Sequence, residues 1–175
     1  EAAAGEDVLL IDLRDGAIGA ALLVNGRPNR GCIIGGNELG HTRFPVETDV
    51  CFCGQTGCRE RICSSAFLRR LTGDGRASLL ERVAHFDPTD APVARIASHV
   101  SMGIANAINF IRPNRVVLTG QLTDALPFCN DLLSRVRGLL LAPLAERVRI
   151  DVWERAAISP AEAAMGSDQA QTRHH

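Results

Sequence analysis

Four residues between positions 41 and 58 are of the types that bind zinc. They are His41, Cys51, Cys53 and Cys58, and they follow the pattern H-x9-C-x-C-x4-C. Imidazole nitrogen and thiolate sulfur are the ligands that tetrahedral zinc prefers, and a closed set of three Cys and one His is typical of a structural site. The spacing therefore predicts a zinc-braced loop.

Glycines and carboxylates surround this pattern. Gly54 and Gly57 lie between the last two cysteines and would let the backbone turn tightly enough to bring both sulfurs to one ion. Glu38 precedes the histidine by three positions, and Glu60 follows the last cysteine by two. Two carboxylates are therefore expected beside the metal-braced loop, within residues 38–60.

The alternative uses of cysteine are a disulfide and a buried apolar side chain. Cys51 and Cys53 are too close in sequence to pair easily with each other, and Cys32, Cys63 and Cys129 have no ligand-like neighbours, so we expect the latter three in the core. The chain shows neither a charged-then-apolar leader nor an apolar run long enough to span a membrane. Reduced thiols, a cytoplasmic location and no membrane partner are the expectation.

Composition limits the class of protein. With 175 residues, 46% of them hydrophobic, and a net charge of −1, we expect one globular domain over residues 1–175. No basic excess marks a nucleic-acid surface over the whole chain, and the absence of Tyr with a single Trp argues against an aromatic stacking platform.

The chain starts EAAAG without Met, which indicates part of a longer protein, with a processed or engineered start as the alternative. No function is assigned to His174 and His175, which are native or the remnant of a tag.

Apolar patterning predicts the elements that position these residues. Short apolar runs predict strands over residues 8–13, 18–24, 27–32, 116–120 and 148–152. Helical spacing predicts helices over residues 59–71, 79–83, 90–111, 127–141 and 160–169. Asn25-Gly26 predicts a hairpin turn, and Pro113 stops the longest helix. This order of elements predicts a layered α/β domain. The longest helix is apolar enough to contribute to a partner interface, although a buried central helix explains the same pattern.

Three segments resemble motifs of the ROK family, which comprises bacterial repressors, open reading frames and sugar kinases. CFCGQTGCRE (residues 51–60) looks like its C-x-C-G-x-x-G-C-x-E signature, and NELGH (37–41) looks like its E-x-G-H motif. Residues 108–120 look like its helix–Asn-Pro–strand–Gly segment. The resemblance covers nearly the whole chain and implies an actin-like, ribonuclease-H-like fold in two halves. This chain would be the C-terminal lobe, without the N-terminal lobe or any DNA-binding module.

The resemblance also implies sugar contacts. Glu38, His41 and Glu60 would point to sugar hydroxyls, with His41 also bound to zinc. Carboxylates accept strong hydrogen bonds from vicinal hydroxyls, and a metal-bound imidazole has a fixed ring orientation. The alternative for the two carboxylates is an ion pair with nearby Arg59 or Arg61.

Departures from the family's kinases bear on the activity. Those kinases carry Gly-Thr-Gly-Ile-Gly after the first strand, where it holds ATP phosphate, whereas this chain has Asp15-Gly16-Ala17-Ile18-Gly19. A carboxylate there repels phosphate, and loss of glycine removes the close backbone approach, so the turn is interpreted as a degenerate phosphate turn that remains only as a hairpin. Gly120 stands alone where the kinases usually have two glycines beside the adenosine. The family's catalytic Asn-Asp pair does not occur before Val8.

We therefore expect the effector-sensing and dimerisation domain of a ROK-type transcriptional repressor of sugar metabolism. It would hold structural zinc, bind a sugar or sugar phosphate, and form a homo-oligomer. It would contact DNA through an N-terminal module that is absent from this chain. No residue of this chain is expected to be catalytic. The alternative is the C-terminal half of an ATP-dependent sugar kinase such as a glucokinase, with ATP as a second cofactor. A third is a degenerate sugar-binding relative without a DNA-binding part.

Overall fold

A mixed five-stranded sheet forms the centre of the computed structural model, which describes residues 5–29 and 36–153. Its strands are β1 (Val8–Arg14), β2 (Ala17–Val24), β3 (Arg27–Asn29), β4 (Arg115–Thr119) and β5 (Arg149–Val152). They lie in the order β3-β2-β1-β4-β5. The first three form an antiparallel meander, and β4 and β5 add in parallel on the other side of β1. Central β1 therefore has a neighbouring strand on each side, and its Ile11 and Leu13 are fully enclosed.

Six helices pack around this sheet in the described part of the chain. They are α1 (Arg59–Ile62), α2 (Ser65–Thr72), α3 (Leu79–Ala84), α4 (Ala91–Ile111), α5 (Leu126–Leu139) and α6 (Ala142–Arg147). Helix α4 contacts α1, α2, α3 and α5. Asp90 caps its N-terminus by accepting a hydrogen bond from the Val93 amide, and Arg112 ends it in the left-handed conformation just before Pro113. In residues 5–29 and 36–153, no helix combines the length and apolarity needed to cross a lipid bilayer.

The predicted hairpin turn is confirmed. Asn25 and Gly26 both have positive φ, at 52° and 73°, as the two central residues of a type I′ turn require. The following strand covers Arg27–Asn29, and the rest of the strand predicted to residue 32 lies outside the described residues, as does the helix predicted over 160–169.

The single helix predicted over residues 59–71 is wrong, because the chain forms two helices there. Ser64 is extended, with φ −150° and ψ 152°, and its side chain accepts a hydrogen bond from the Phe67 amide as the N-cap of α2. The second helix buries Phe67 fully, whereas Ala66 and Leu71 stay partly exposed. The helix predicted over residues 127–141 similarly ends at Leu139, and α6 follows.

Candidate functional site

The side chains of the predicted metal site meet in the folded chain. One ligand atom each from His41, Cys51, Cys53 and Cys58 lies within 4.8 Å of all the others. The Cys51 Sγ and His41 Nδ1 atoms are 3.8 Å apart, and the Cys53 and Cys58 Sγ atoms are 3.6 Å apart. A tetrahedral ion with metal–sulfur bonds of about 2.3 Å requires sulfur–sulfur distances of about 3.8 Å. The four residues therefore have both the chemistry and the spacing of a tetrahedral metal centre.

Tight turns bring the three cysteines together. The Cys51 amide donates to the Gln55 carbonyl at 2.8 Å, and the Gly54 amide donates back to the Cys51 carbonyl at 2.9 Å. Gly54 and Gly57 have φ of +84° and +72°, which glycine adopts without the strain that a side chain would add. A Cβ on Gly57 would also lie 2.7 Å from the Glu47 carbonyl oxygen, so no larger residue fits.

Two thiols of the cluster, those of Cys53 and Cys58, have opposite electrostatic environments. Burial, reinforced by the neighbouring sulfurs, raises the pKa of Cys58 to about 12. A hydrogen bond from the Gln55 backbone lowers the pKa of Cys53. A divalent cation would hold all the sulfurs as thiolates, because a coordinating thiol is deprotonated outright.

The two predicted sugar carboxylates lie on either side of the 3₁₀ turn Leu39–His41. Glu38 Oε2 is 3.9 Å from His41 Nε2, which is the ring nitrogen facing away from Cys51. Glu60 Oε2 accepts a hydrogen bond from the Ile18 amide at 3.4 Å. It also lies close to Gly40, because a Cβ added to that glycine would be 3.1 Å from it. Neither carboxylate forms a salt bridge with Arg59 or Arg61, which was the alternative use of these groups.

The turn predicted to be a degenerate phosphate turn is the hairpin between β1 and β2. Asp15 and Gly16 form the turn, and Ala17 begins β2. The Asp15 carboxylate accepts hydrogen bonds from the Ser65 amide, at 2.6 Å, and from the Ser65 hydroxyl, and the Gly16 amide donates to the Cys63 carbonyl at 2.8 Å. The first turn of α2 therefore already holds an anion that belongs to the protein itself.

Gly120 ends β4 against the end of β1. Its φ is +108°, and a Cβ there would lie 2.7 Å from the Leu13 amide nitrogen and collide with Asp12 as well. Beside it, a cavity of about 600 Å³ is lined by Gln121, Asp124 and residues of α3. Glycine is thus required here by the backbone alone, whether or not a nucleotide binds nearby. Cys63 and Cys129 are buried as predicted, and Cys32 lies outside the described residues.

Sequence reasoning missed a buried carboxylate in the metal loop. Glu47 is 3% exposed and accepts hydrogen bonds from Arg95 at 2.6 Å, from His99 at 3.0 Å and from Arg70 at 3.1 Å. Burial raises the pKa of Glu47, but the hydrogen bond and charge of Arg95 and the charge of His99 outweigh it, so the pKa is lowered overall. The Phe44 ring also packs on His99, with the centroids 4.2 Å apart. These contacts join the metal loop to α4 and α2.

A second missed residue, Arg59, lines a cavity of about 480 Å³. Glu38 lines the same cavity, whereas His41 and Glu60 do not. The cavity lies between the sheet, α4 and the 37–43 segment, with Phe110 on its α4 side. A glycine within a helical pattern often marks close packing, and Gly103 of α4, which faces Arg59, was the signal in the sequence.

Known proteins with similar sequences include both kinases and regulators. The model of the ROK family matches residues 1–168. An N-acetyl-D-glucosamine kinase of Citrobacter koseri is 28% identical over 160 residues, which cover 77% of this chain and 50% of the kinase. The DNA-binding transcriptional dual regulator NagC of Escherichia coli is 29% identical over 140 residues, which cover 69% of this chain and 33% of NagC. This chain therefore spans a third to a half of the length of these relatives.

A solved structure confirms the fold class. The ROK hexokinase from Thermus thermophilus superimposes with a TM-score of 0.68 at 26% identity, over 84% of this chain and 51% of the hexokinase. The mixed sheet with its flanking helices is therefore the actin-like, ribonuclease-H-like fold that the motifs implied.

Proposed function

Because the chain belongs to the ROK family, we propose that it is the effector-sensing and dimerisation domain of a transcriptional repressor of sugar metabolism. The observation that carries this proposal is the Asp15 carboxylate bonded to Ser65 at the first turn of α2. In a kinase of this family, the turn that corresponds to residues 15–19 would hold ATP phosphate. A fixed carboxylate repels phosphate and occupies the donors nearest to it. The similarity to NagC, a regulator, supports the same reading.

The metal in this proposal is zinc, held by His41, Cys51, Cys53 and Cys58. Three sulfurs and one imidazole favour zinc over magnesium or calcium, and a site with four protein ligands leaves no open position for catalysis. Zinc would therefore brace the loop rather than take part in a reaction.

Glu38, His41 and Glu60 are the residues proposed to bind sugar hydroxyls. Their arrangement around the 3₁₀ turn supports this, because the metal would fix the His41 ring while Glu38 lies near its second nitrogen. A sugar or sugar phosphate would then bias a homodimer between states that differ in DNA affinity, through an N-terminal DNA-binding module. Phe110, 91% exposed on α4, is a candidate dimer contact.

The alternative function is the C-terminal half of an ATP-dependent sugar kinase. The cavity of about 600 Å³ beside Gly120 favours it, because the family's kinases place adenosine there. The similarity to an N-acetyl-D-glucosamine kinase also supports it. Such a kinase would need its catalytic base and most phosphate contacts from residues outside this chain.

A direct test compares ATP turnover and DNA binding by the full-length protein. We expect no phosphorylation of glucose or N-acetylglucosamine with Mg-ATP, and no ATP binding by calorimetry. Selection of genomic DNA fragments should recover specific sites whose occupancy changes when a sugar or sugar phosphate is added. Glu38→Gln should reduce the sugar response and leave DNA binding in the absence of sugar unchanged.

Turnover of either sugar, abolished by Glu38→Ala, would refute the repressor and establish the kinase. Sugar binding without DNA binding or turnover would instead indicate a sugar-binding relative of another kind.

A further inference from the structure

Arg59 is a buried cation that faces a cavity. Only 5% of the residue is exposed, and burial lowers the pKa of its guanidinium. The cavity it lines measures about 480 Å³, which is within the range of small-molecule sites. A charged group is seldom buried without an ion partner, because removing it from water is costly.

The partners of Arg59 among the described residues are all neutral. Its Nε donates to the Thr42 hydroxyl at 3.0 Å, and its Nη1 donates to the His99 carbonyl at 2.9 Å. Its guanidinium carbon also lies 5.8 Å from the centroid of the Phe44 ring. Within residues 5–29 and 36–153, no carboxylate forms a salt bridge with it and no hydrogen bond reaches Nη2.

The rest of the fold makes room for this cation. Gly103 of α4 lies against the guanidinium, and a Cβ there would be 2.6 Å from Arg59 Nε. Glycine inside a helix reduces helix stability relative to alanine, so the space it leaves for Arg59 comes at a cost to α4.

Other polar groups of the cavity fit a hydroxylated anion. Arg43 adds a second guanidinium, whose described hydrogen bonds go to the neutral Thr56. Asn37 and Asn106 contribute amides, and Glu38 contributes the cavity's carboxylate, which accepts hydrogen bonds from hydroxyl groups. Two cations against one carboxylate give the cavity a net positive charge.

We propose that this cavity binds an anionic sugar, with its oxyanion on the guanidinium of Arg59 and its hydroxyl groups toward Glu38. The oxyanion is a phosphate monoester or a carboxylate, because both present oxygens in the plane that a guanidinium recognises. This inference deepens the proposed function, and it depends on that function only for the sugar body of the ligand.

Calorimetry on the full-length protein tests the proposal with glucose, glucose 6-phosphate, glucuronate and inorganic phosphate as probes. The wild type should bind at least one of the two anionic sugars tenfold or more tightly than glucose, a difference of about 1.4 kcal/mol. The preferred probe distinguishes phosphate from carboxylate. Arg59→Gln should abolish the preference and leave glucose affinity within about twofold, whereas the control Arg76→Gln, on an exposed loop, should change neither.

Equal affinity for glucose and both anionic sugars in the wild type would overturn the proposal, and so would an unchanged preference in Arg59→Gln. If no sugar binds, the proposed sugar function fails. In that case inorganic phosphate should still raise the Tm of the wild type but not of Arg59→Gln, and no rise in either protein would overturn the anion site as well. If Arg59→Gln does not fold, Gly103→Ala should displace the guanidinium and give the same loss of preference.

Discussion

The buried carboxylate of Glu47 joins the metal loop to basic side chains of α2 and α4. Replacement by Gln keeps the side chain's volume and one carbonyl oxygen but removes the negative charge. Arg95 and His99 of α4, and Arg70 of α2, would then face a neutral amide. We expect Glu47→Gln to destabilise the folded protein.

The size of this effect follows from the exposure of the partners. Removing one member of a buried ion pair typically costs about 3–5 kcal/mol. The side chains of Arg95 and Arg70 are 49% and 47% exposed, so water can solvate them after the change, and Arg70 keeps its 2.9 Å ion pair with Asp49. The expected loss in the free energy of unfolding is therefore about 2–3 kcal/mol, at or below the lower end of that range.

Urea unfolding at pH 7.5 measures this loss. The matched control is Glu146→Gln on the exposed surface of α6, which should stay within about 0.5 kcal/mol of the wild type. Combining Glu47→Gln with Arg95→Gln should cost less than the sum of the two single changes, because the two side chains share one interaction. A loss below about 1 kcal/mol for Glu47→Gln, or strict additivity with Arg95→Gln, would refute the reasoning.

Three further outcomes are expected. Cys53→Ala or Cys58→Ala should abolish zinc binding, measured by elemental analysis, and should also abolish repression by the full-length protein. Repression by a metal-free variant would contradict the bracing role of zinc. Gly120→Ala should lower the free energy of unfolding by about 2–4 kcal/mol, since its φ is +108° and a Cβ would strike β1; a loss under about 1 kcal/mol in urea would argue against this geometry. Burial lowers the pKa of His99, although Glu47 opposes it, so the unfolded chain takes up this proton first as pH falls. The contribution of His99 to stability is thus present above about pH 6.5 and is lost as the pH falls below it. His99→Gln should therefore reduce the decline in the free energy of unfolding, measured with urea, between pH 7 and pH 5.

Local signals in the sequence were sufficient for much of the fold. The hairpin at Asn25-Gly26 was predictable because few dipeptides accept two consecutive positive φ angles. The long helix was predictable because its apolar spacing persists over about six turns to Pro113. The metal cluster was predictable because its ligands lie close in sequence and have specialised chemistry.

Contacts that span long separations, and a local side chain that breaks a helix, were not predictable in this way. The break between α1 and α2 depends on Ser64 competing for a backbone amide, a choice that helical periodicity does not register. Glu47 was missed because its partner His99 is 52 positions away. Arg59 was missed because a charged residue is expected at the surface, and its burial depends on the space left by Gly103.

The order of strands in the sheet has a consequence for synthesis. The meander β1–β3 is complete early in the chain, but β1 pairs with its second neighbour only when β4 has been made. Asp7 and Asn114, which precede β1 and β4 and are hydrogen-bonded to each other, are 107 positions apart. At ~5–20 residues per second, a ribosome needs about 5 to 20 s to make this interval. During that time the largely apolar strand β1 presents an open hydrogen-bonding edge, so a nascent chain of this protein depends on protection from strand-to-strand aggregation until residue 119 has emerged.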